Sequence, residues 1–181
     1  MIKKYCLLFL IFFSSLSFSQ IEEIANIFTV QLGLTVESVK EKCEQNNIFH
    51  YSDLVSETDD LLKYESNRDS GLFGCIFYFV EDSLYSFSIW IKTTFEKTQQ
   101  LLGLTDNNFG KPDSITAEPM NDGKECKTLS WVIKNSINNS VDNISLSYKL
   151  PEKNLCIVNF SKYNTLLNKK AILLKKHHIE L

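Results

Sequence analysis

The chain has 181 residues and a formal charge of −3, with Arg68 its only arginine and its lysines scattered along the sequence. Binding a phosphate backbone takes a clustered basic stripe, so this pattern argues against nucleic acid as a partner. No Gly-rich phosphate loop and no G-x-S-x-G elbow is present, so the expected catalytic, cofactor and metal residues are none.

The opening "MIKKYCLLFLIFFSSLSFSQ" places Lys3 and Lys4 before the apolar run Cys6 to Phe13, and small polar residues follow. This is the layout of a secretory signal peptide with cleavage before Gln20. The run is shorter than the roughly 20 residues a membrane-spanning helix needs, and no later segment reads as a span. Cys6 stands at the start of the apolar run, where a lipid-anchoring cysteine would follow it. The expected product is a periplasmic or secreted chain, residues 20–181, whose charge moves from −3 to −5 as Lys3 and Lys4 leave. A chain of that size buries on the order of 70% of its unfolded surface, so its core does not depend on cross-links. Cys43, Cys75, Cys126 and Cys156 are possible disulfide partners, and their three pairings cannot be ranked from spacing.

After a lead-in carrying Ile21, Ile24 and Phe28, Gly33 breaks the pattern and Thr35 is suited to cap a helix on which Val36, Val39 and Cys43 share a face. "IFHYSDL" and "DLLKYES" read as edge strands. Residues 73–91, "FGCIFYFVEDSLYSFSIWI", read as a β-hairpin about Glu81-Asp82-Ser83. A two-residue turn at Asp82-Ser83 aligns Tyr78 with Phe87, a three-residue turn aligns Phe77 with Phe87, and the slip exchanges the two sheet faces. Thr93 and Glu96 form a capping box for a second helix, with Phe95, Leu102 and Phe109 at seven-residue spacing and Gly110 and Pro112 as its stop. "DSITAE", "KTLSWVI", "NISLSYKL" and "NLCIVNF" follow, mostly strands, with Ile144, Leu146 and Tyr148 alternating against Asn143, Ser145 and Ser147. A helix over 163–176 closes the chain. The predicted class is α+β, an antiparallel sheet with helices on one face. It forms one domain over 20–181, built as a possible pair of pseudo-repeats over 33–92 and 93–162.

"LGLT" followed by "VESVKEKC" resembles the "LGMT-x-x-E-V" entry of the SmpA/OmlA outer-membrane-assembly lipoproteins, and the layout of the two halves resembles the tandem units of the β-lactamase inhibitor protein. "FEKTQQLLGLTDNNFGKPDS" is similar to the helix before a "YGKP" turn in exported bacterial proteins of this layout. The heavy use of Lys, Asn, Ile and Phe resembles the bias of an AT-rich bacterial genome, and the signal with Gln at its cleavage point resembles those of Bacteroidota. These resemblances imply protein binding in the envelope rather than catalysis, though the lipidated cysteine of the lipoproteins is missing.

The candidate contact residues are Phe77, Phe79, Trp90, Trp131 and Tyr148, on the expectation that a sheet face holds another envelope or extracellular protein. A rival reading is a thiol enzyme or hydrolase using Cys43 or Cys75 with His50, and a third is a structural protein with no discrete site. Asp59-Asp60 and Glu81-Asp82 read as solvated turn residues, "TDNNFG" as a helix end, and His177-His178 as surface residues of the tail.

Overall fold

The computed structural model describes residues 18–46, 52–66, 73–119, 125–135, 140–149 and 155–179. His50, Arg68 and the expected signal segment through Ser17 lie outside the described residues, as do the side chains of His177 and His178. Helices α1 (Phe18–Phe28) and α2 (Val36–Gln45) come first, then strands β1 (Ser52–Thr58), β2 (Leu61–Ser66), β3 (Phe73–Val80) and β4 (Ser83–Thr94). Helix α3 (Phe95–Phe109) leads into β5 (Ser114–Pro119), β6 (Glu125–Asn135), β7 (Ser140–Lys149) and β8 (Leu155–Asn164), and α4 (Thr165–Ile179) closes the chain. The eight strands of the described residues join one sheet in the order β1-β2-β3-β4-β8-β7-β6-β5. Every pairing in it is antiparallel. The protein is thus of the expected α+β class.

The lead-in before Gly33 is a helix. Ile21, Ile24, Ala25 and Phe28 recur at the spacing that lines one helix face, and all four are buried. Helix α1 lies over the sheet centre, where Phe28 stacks on Phe160 of β8 with centroids 3.8 Å apart. Asn46, at the end of α2, donates to the carbonyl of Glu23 in α1.

Helix α2 begins as its sequence predicts, with Thr35 Oγ1 accepting from the amide of Ser38. Gly33, held at a φ of 92° that suits a residue without a Cβ, lets the preceding loop reach the sheet. There the Gly33 amide donates to the carbonyl of Leu84, and the Leu84 amide donates to that of Leu34. Asp82 Oδ1 accepts from the amide of Val36, so the β3–β4 turn helps cap α2.

The β3–β4 hairpin follows neither of the two simple registers. Its turn is Glu81-Asp82, both at positive φ, as a two-residue type I′ turn requires. A bulge between Tyr78/Ser86 and Phe79/Leu84 then inserts Tyr85 and restores Phe77 opposite Phe87. Cys75, Phe77 and Phe79 therefore face the helices together with Phe87, Ile89 and Ile91.

Helix α3 opens one residue later than the Thr93/Glu96 box implies. Thr94 is its N-cap, accepting from the amide of Lys97, while Thr93 belongs to β4 and points into the core. Its buried stripe is Thr98, Leu101 and Thr105, and Phe95, part of the expected stripe, is largely exposed. The two threonines fit a buried face because each hydroxyl donates to the carbonyl four residues back, Thr98 to Thr94 and Thr105 to Leu101. At the other end Gly110, at a φ of 77°, terminates the helix as expected, and its carbonyl accepts from the Trp131 indole at 2.9 Å.

Helices α1, α2 and α3 cover one face of the sheet. Helix α4 crosses the end of the sheet where β7 begins, with Asn143 donating to Thr165 and Thr165 to the carbonyl of Val141. Lys170 pairs there with Glu81 of the β3–β4 turn.

Candidate functional site

The five aromatic candidates do not share a surface. Phe77, Phe79 and Trp131 are buried beneath the helices, which removes them from any contact face. The bulge at Tyr85 turns the first two inward, and Trp131 is held by Phe109 and by its bond to Gly110. Tyr148 is half-buried on the same side, packed against the core. Trp90 alone of the five lies on the opposite face, where it is half-buried.

That opposite face has a regular composition that becomes visible only in the strand order. Ser114, Ser130, Ser145, Ser161 and Ser88 stand directly opposite one another across β5, β6, β7, β8 and β4. One step along the strands, Thr116, Thr128, Ser147, Asn159 and Trp90 form a second row, which ends at Gly74 of β3. These positions alternate with the buried Phe87, Ile89, Ile144, Leu146 and Phe160, which sets them on the side away from α1, α2 and α3. Direct cross-strand neighbours are close enough to interact, and Ser145 Oγ lies 2.7 Å from Ser161 Oγ. Asn159, Thr116 and Ser114 are exposed, and the others keep part of their surface open.

Trp90 lies over Gly74 because Gly74 has no side chain. A Cβ built there would fall inside the six-membered part of the indole. We expect Gly74→Ala to lift the ring from the sheet and to lower stability by roughly 1–3 kcal/mol, the range for overpacking a tight site. Urea denaturation measures the loss, and a red shift of Trp90 emission reports the displaced ring. An unchanged midpoint and spectrum would contradict this packing.

The cysteines separate by face and depth. Cys75 lies opposite Tyr64 across β2 and β3, and Cys43 of α2 is hydrogen-bonded to Tyr64, so these two thiols occupy one region of the core. Cys156 is buried beside Thr93, while Cys126 belongs to the outward-facing register of β6 and is partly exposed. Among the four, only Cys43 and Cys75 are neighbours. Burial pushes the Cys43 thiol up to about 12 and raises Cys75 well above the ordinary thiol value. A nucleophile needs the thiolate, which this environment disfavours. Native alkylation by iodoacetamide at about pH 8 should modify Cys126 first and leave Cys43, Cys75 and Cys156 protected until unfolding. Peptide mapping reads the order, and early labelling of Cys43 would contradict it.

A cleft of about 510 Å³ lies between α1 and α2, with Val39, Cys43 and Phe77 among its lining and Glu23, Asn26, Lys42 and Gln45 at its polar side. Close to it is a residue that sequence reading passed over. Lys162 sits on the helix side of β8 at 6% exposure, donates to the Val30 carbonyl at 3.0 Å beyond the end of α1, and lies 5.9 Å from the Phe109 ring centroid. Burial lowers its pKa, with Asp142 pulling the other way. The unfolded chain therefore holds this proton to higher pH than the folded one, so the wild type should gain stability relative to Lys162→Met as pH rises from neutral toward 10.5. Urea midpoints of the two proteins across that range test it. A constant gap would show that Lys162 is not desolvated.

Compared with protein-family models and with curated proteins, the sequence gives no match. What stands is the architecture: an α+β protein with one antiparallel sheet, covered by helices on one face and bearing rows of hydroxyl and amide side chains on the other.

Proposed function

We propose that the chain is an exported, non-catalytic binding module whose ligand surface is the sheet face turned away from α1, α2 and α3. The observation that carries this reading is the pair of aligned rows ending at Ser88 and Trp90. Partly open hydroxyl and amide groups, set at fixed spacing on a rigid sheet, suit recognition, and the two rows hold no ionisable base to activate a hydroxyl as a nucleophile. Removing residues 1–19 at the expected cleavage before Gln20 would keep the buried Ile21, Ile24, Ala25, Ile27 and Phe28 of α1 in the mature protein, which is compatible with export. The repeated order of one helix and four strands supports the likeness to the tandem units of the β-lactamase inhibitor protein. No described helix is long and apolar enough to cross a membrane.

The test uses immobilised residues 20–181 presented with envelope and culture-medium fractions of the source cell. Material retained by the wild type and by Leu173→Ala, an exposed position on α4, should be lost from Trp90→Ala. Identical retention by all three proteins would overturn the assignment of this face.

A further inference from the structure

We infer that the occupant of this face is a neutral carbohydrate chain, with one sugar ring stacked on Trp90 and its neighbours hydrogen-bonded along the Asn159-Ser147-Thr128 row. The inference rests on the binding-face reading and names its ligand class.

A sugar ring presents two kinds of surface, an apolar face of C–H groups and a rim of hydroxyls that both donate and accept. The indole supplies the matching plane. It lies across Gly74, where no side chain intervenes, with one ring face toward the sheet and part of its surface still open. Trp90 is flanked along β4 by Ser88 and Lys92 and across the seam by Asn159, which is exposed. Serine and threonine hydroxyls and the asparagine amide each offer a donor and an acceptor, the same two-way capacity as a sugar hydroxyl.

The rows also fit in charge and length. None of the ten residues in the two rows is ionisable; charges stand at the margins, with Lys92, Lys149 and Glu118 in the next register beside Ile157 and Cys126, and the Lys63–Glu65 pair of β2 beyond Ile76 and Gly74. Strands are about 4.8 Å apart, so the row from Trp90 to Thr116 spans roughly 19 Å, room for several sugar residues lying across the strands. A protein partner is the less suited occupant. Tight protein interfaces concentrate aromatic and arginine anchors in desolvated pockets, and these rows hold one aromatic ring among short polar side chains.

The probes are soluble neutral polysaccharides of defined linkage, namely a mixed-linkage β-glucan, xylan, mannan and chitin oligosaccharides. Affinity gel electrophoresis of residues 20–181 should show retardation by at least one of them, weakened at least tenfold by Trp90→Ala and measurably by Asn159→Ala. Bound glycan should also shield Trp90 from acrylamide quenching, while the buried Trp131 gives the unquenched background. Both variants are checked for wild-type circular dichroism, so a fold defect is not read as lost binding. No retardation by any probe, or retardation indifferent to Trp90→Ala, would overturn the inference. If the extract experiment retains Trp90-dependent material that protease destroys and glycosidases leave intact, the face is a binding face and its carbohydrate assignment fails. If nothing Trp90-dependent is retained, both readings fail together.

Discussion

A chain that starts at Val30 should fail to fold, whereas one that starts at Gln20 should fold cooperatively. Helix α1 contributes Ile21, Ile24, Ile27 and Phe28, each at 3% exposure or less, and Ala25 beside them. At about 1.5–3 kcal/mol for each large apolar side chain, the four together amount to on the order of 10 kcal/mol. That is comparable with the whole stability of an ordinary domain, about 5–15 kcal/mol. The deletion would also uncover the ring of Phe160, on which Phe28 stacks. Circular dichroism and urea titration of the two proteins check this. A cooperative transition in the shorter chain would mean that α1 is dispensable and that the mature protein could begin well past Gln20.

Phe160→Ala should be the most damaging single truncation in the sheet, at about 3–5 kcal/mol. The Phe160 ring stacks on Phe28 at 3.8 Å and lies 5.8 Å from Phe87 and 6.3 Å from Phe109. It thereby ties both helices α1 and α3 to the seam where the two four-strand runs meet. No single neighbour can move in to refill the space, since each of the three is held by a different element. Phe95→Ala is the matched control, because its ring is 45% exposed and should cost under about 1 kcal/mol. Equal midpoint shifts for the two variants would refute the placement of Phe160 at the centre of the core.

The strands, the cap at Thr35, the stop at Gly110 and the wet face of β7 follow from alternation and local chemistry, which are properties of short windows. Helix α1 was within reach as well, since Ile21, Ile24, Ala25 and Phe28 already have helical spacing, but its short length after the expected cleavage point made it look like a lead-in. The start of α3 was ambiguous because Thr93 and Thr94 both offer a hydroxyl, and only the strand register decides which one faces the core. The hairpin register depended on two non-glycine residues at positive φ, Glu81 and Asp82, and on the bulge at Tyr85, neither of which composition announces. Phe77 and Phe79 consequently moved from candidate contacts to core.

The candidate face was illegible for a different reason. Ser88, Ser114, Ser130, Ser145 and Ser161 are ordinary residues one at a time. Ser114, Ser130, Ser145 and Ser161 align through the registers of the consecutive pairs from β5 to β8, and Ser88 joins them because β4 pairs with β8, the end of one half of the chain with the end of the other. Lys162 was hidden by the same parity, since a lysine in "SKYN" reads as solvated until its strand neighbours are known to lie on the outer face.

The measurement that bears most directly on the binding face is amide and indole chemical-shift mapping of residues 20–181 during titration with the polysaccharide that most retards the protein. The Trp90 indole and the amides around Ser88, Thr128, Ser145, Ser147, Asn159 and Ser161 should move together, with the α1–α2 cleft unaffected. Shifts confined to the lining of that cleft, around Asn26, Lys42 and Cys43, would place the ligand on the opposite side of the sheet and contradict the account.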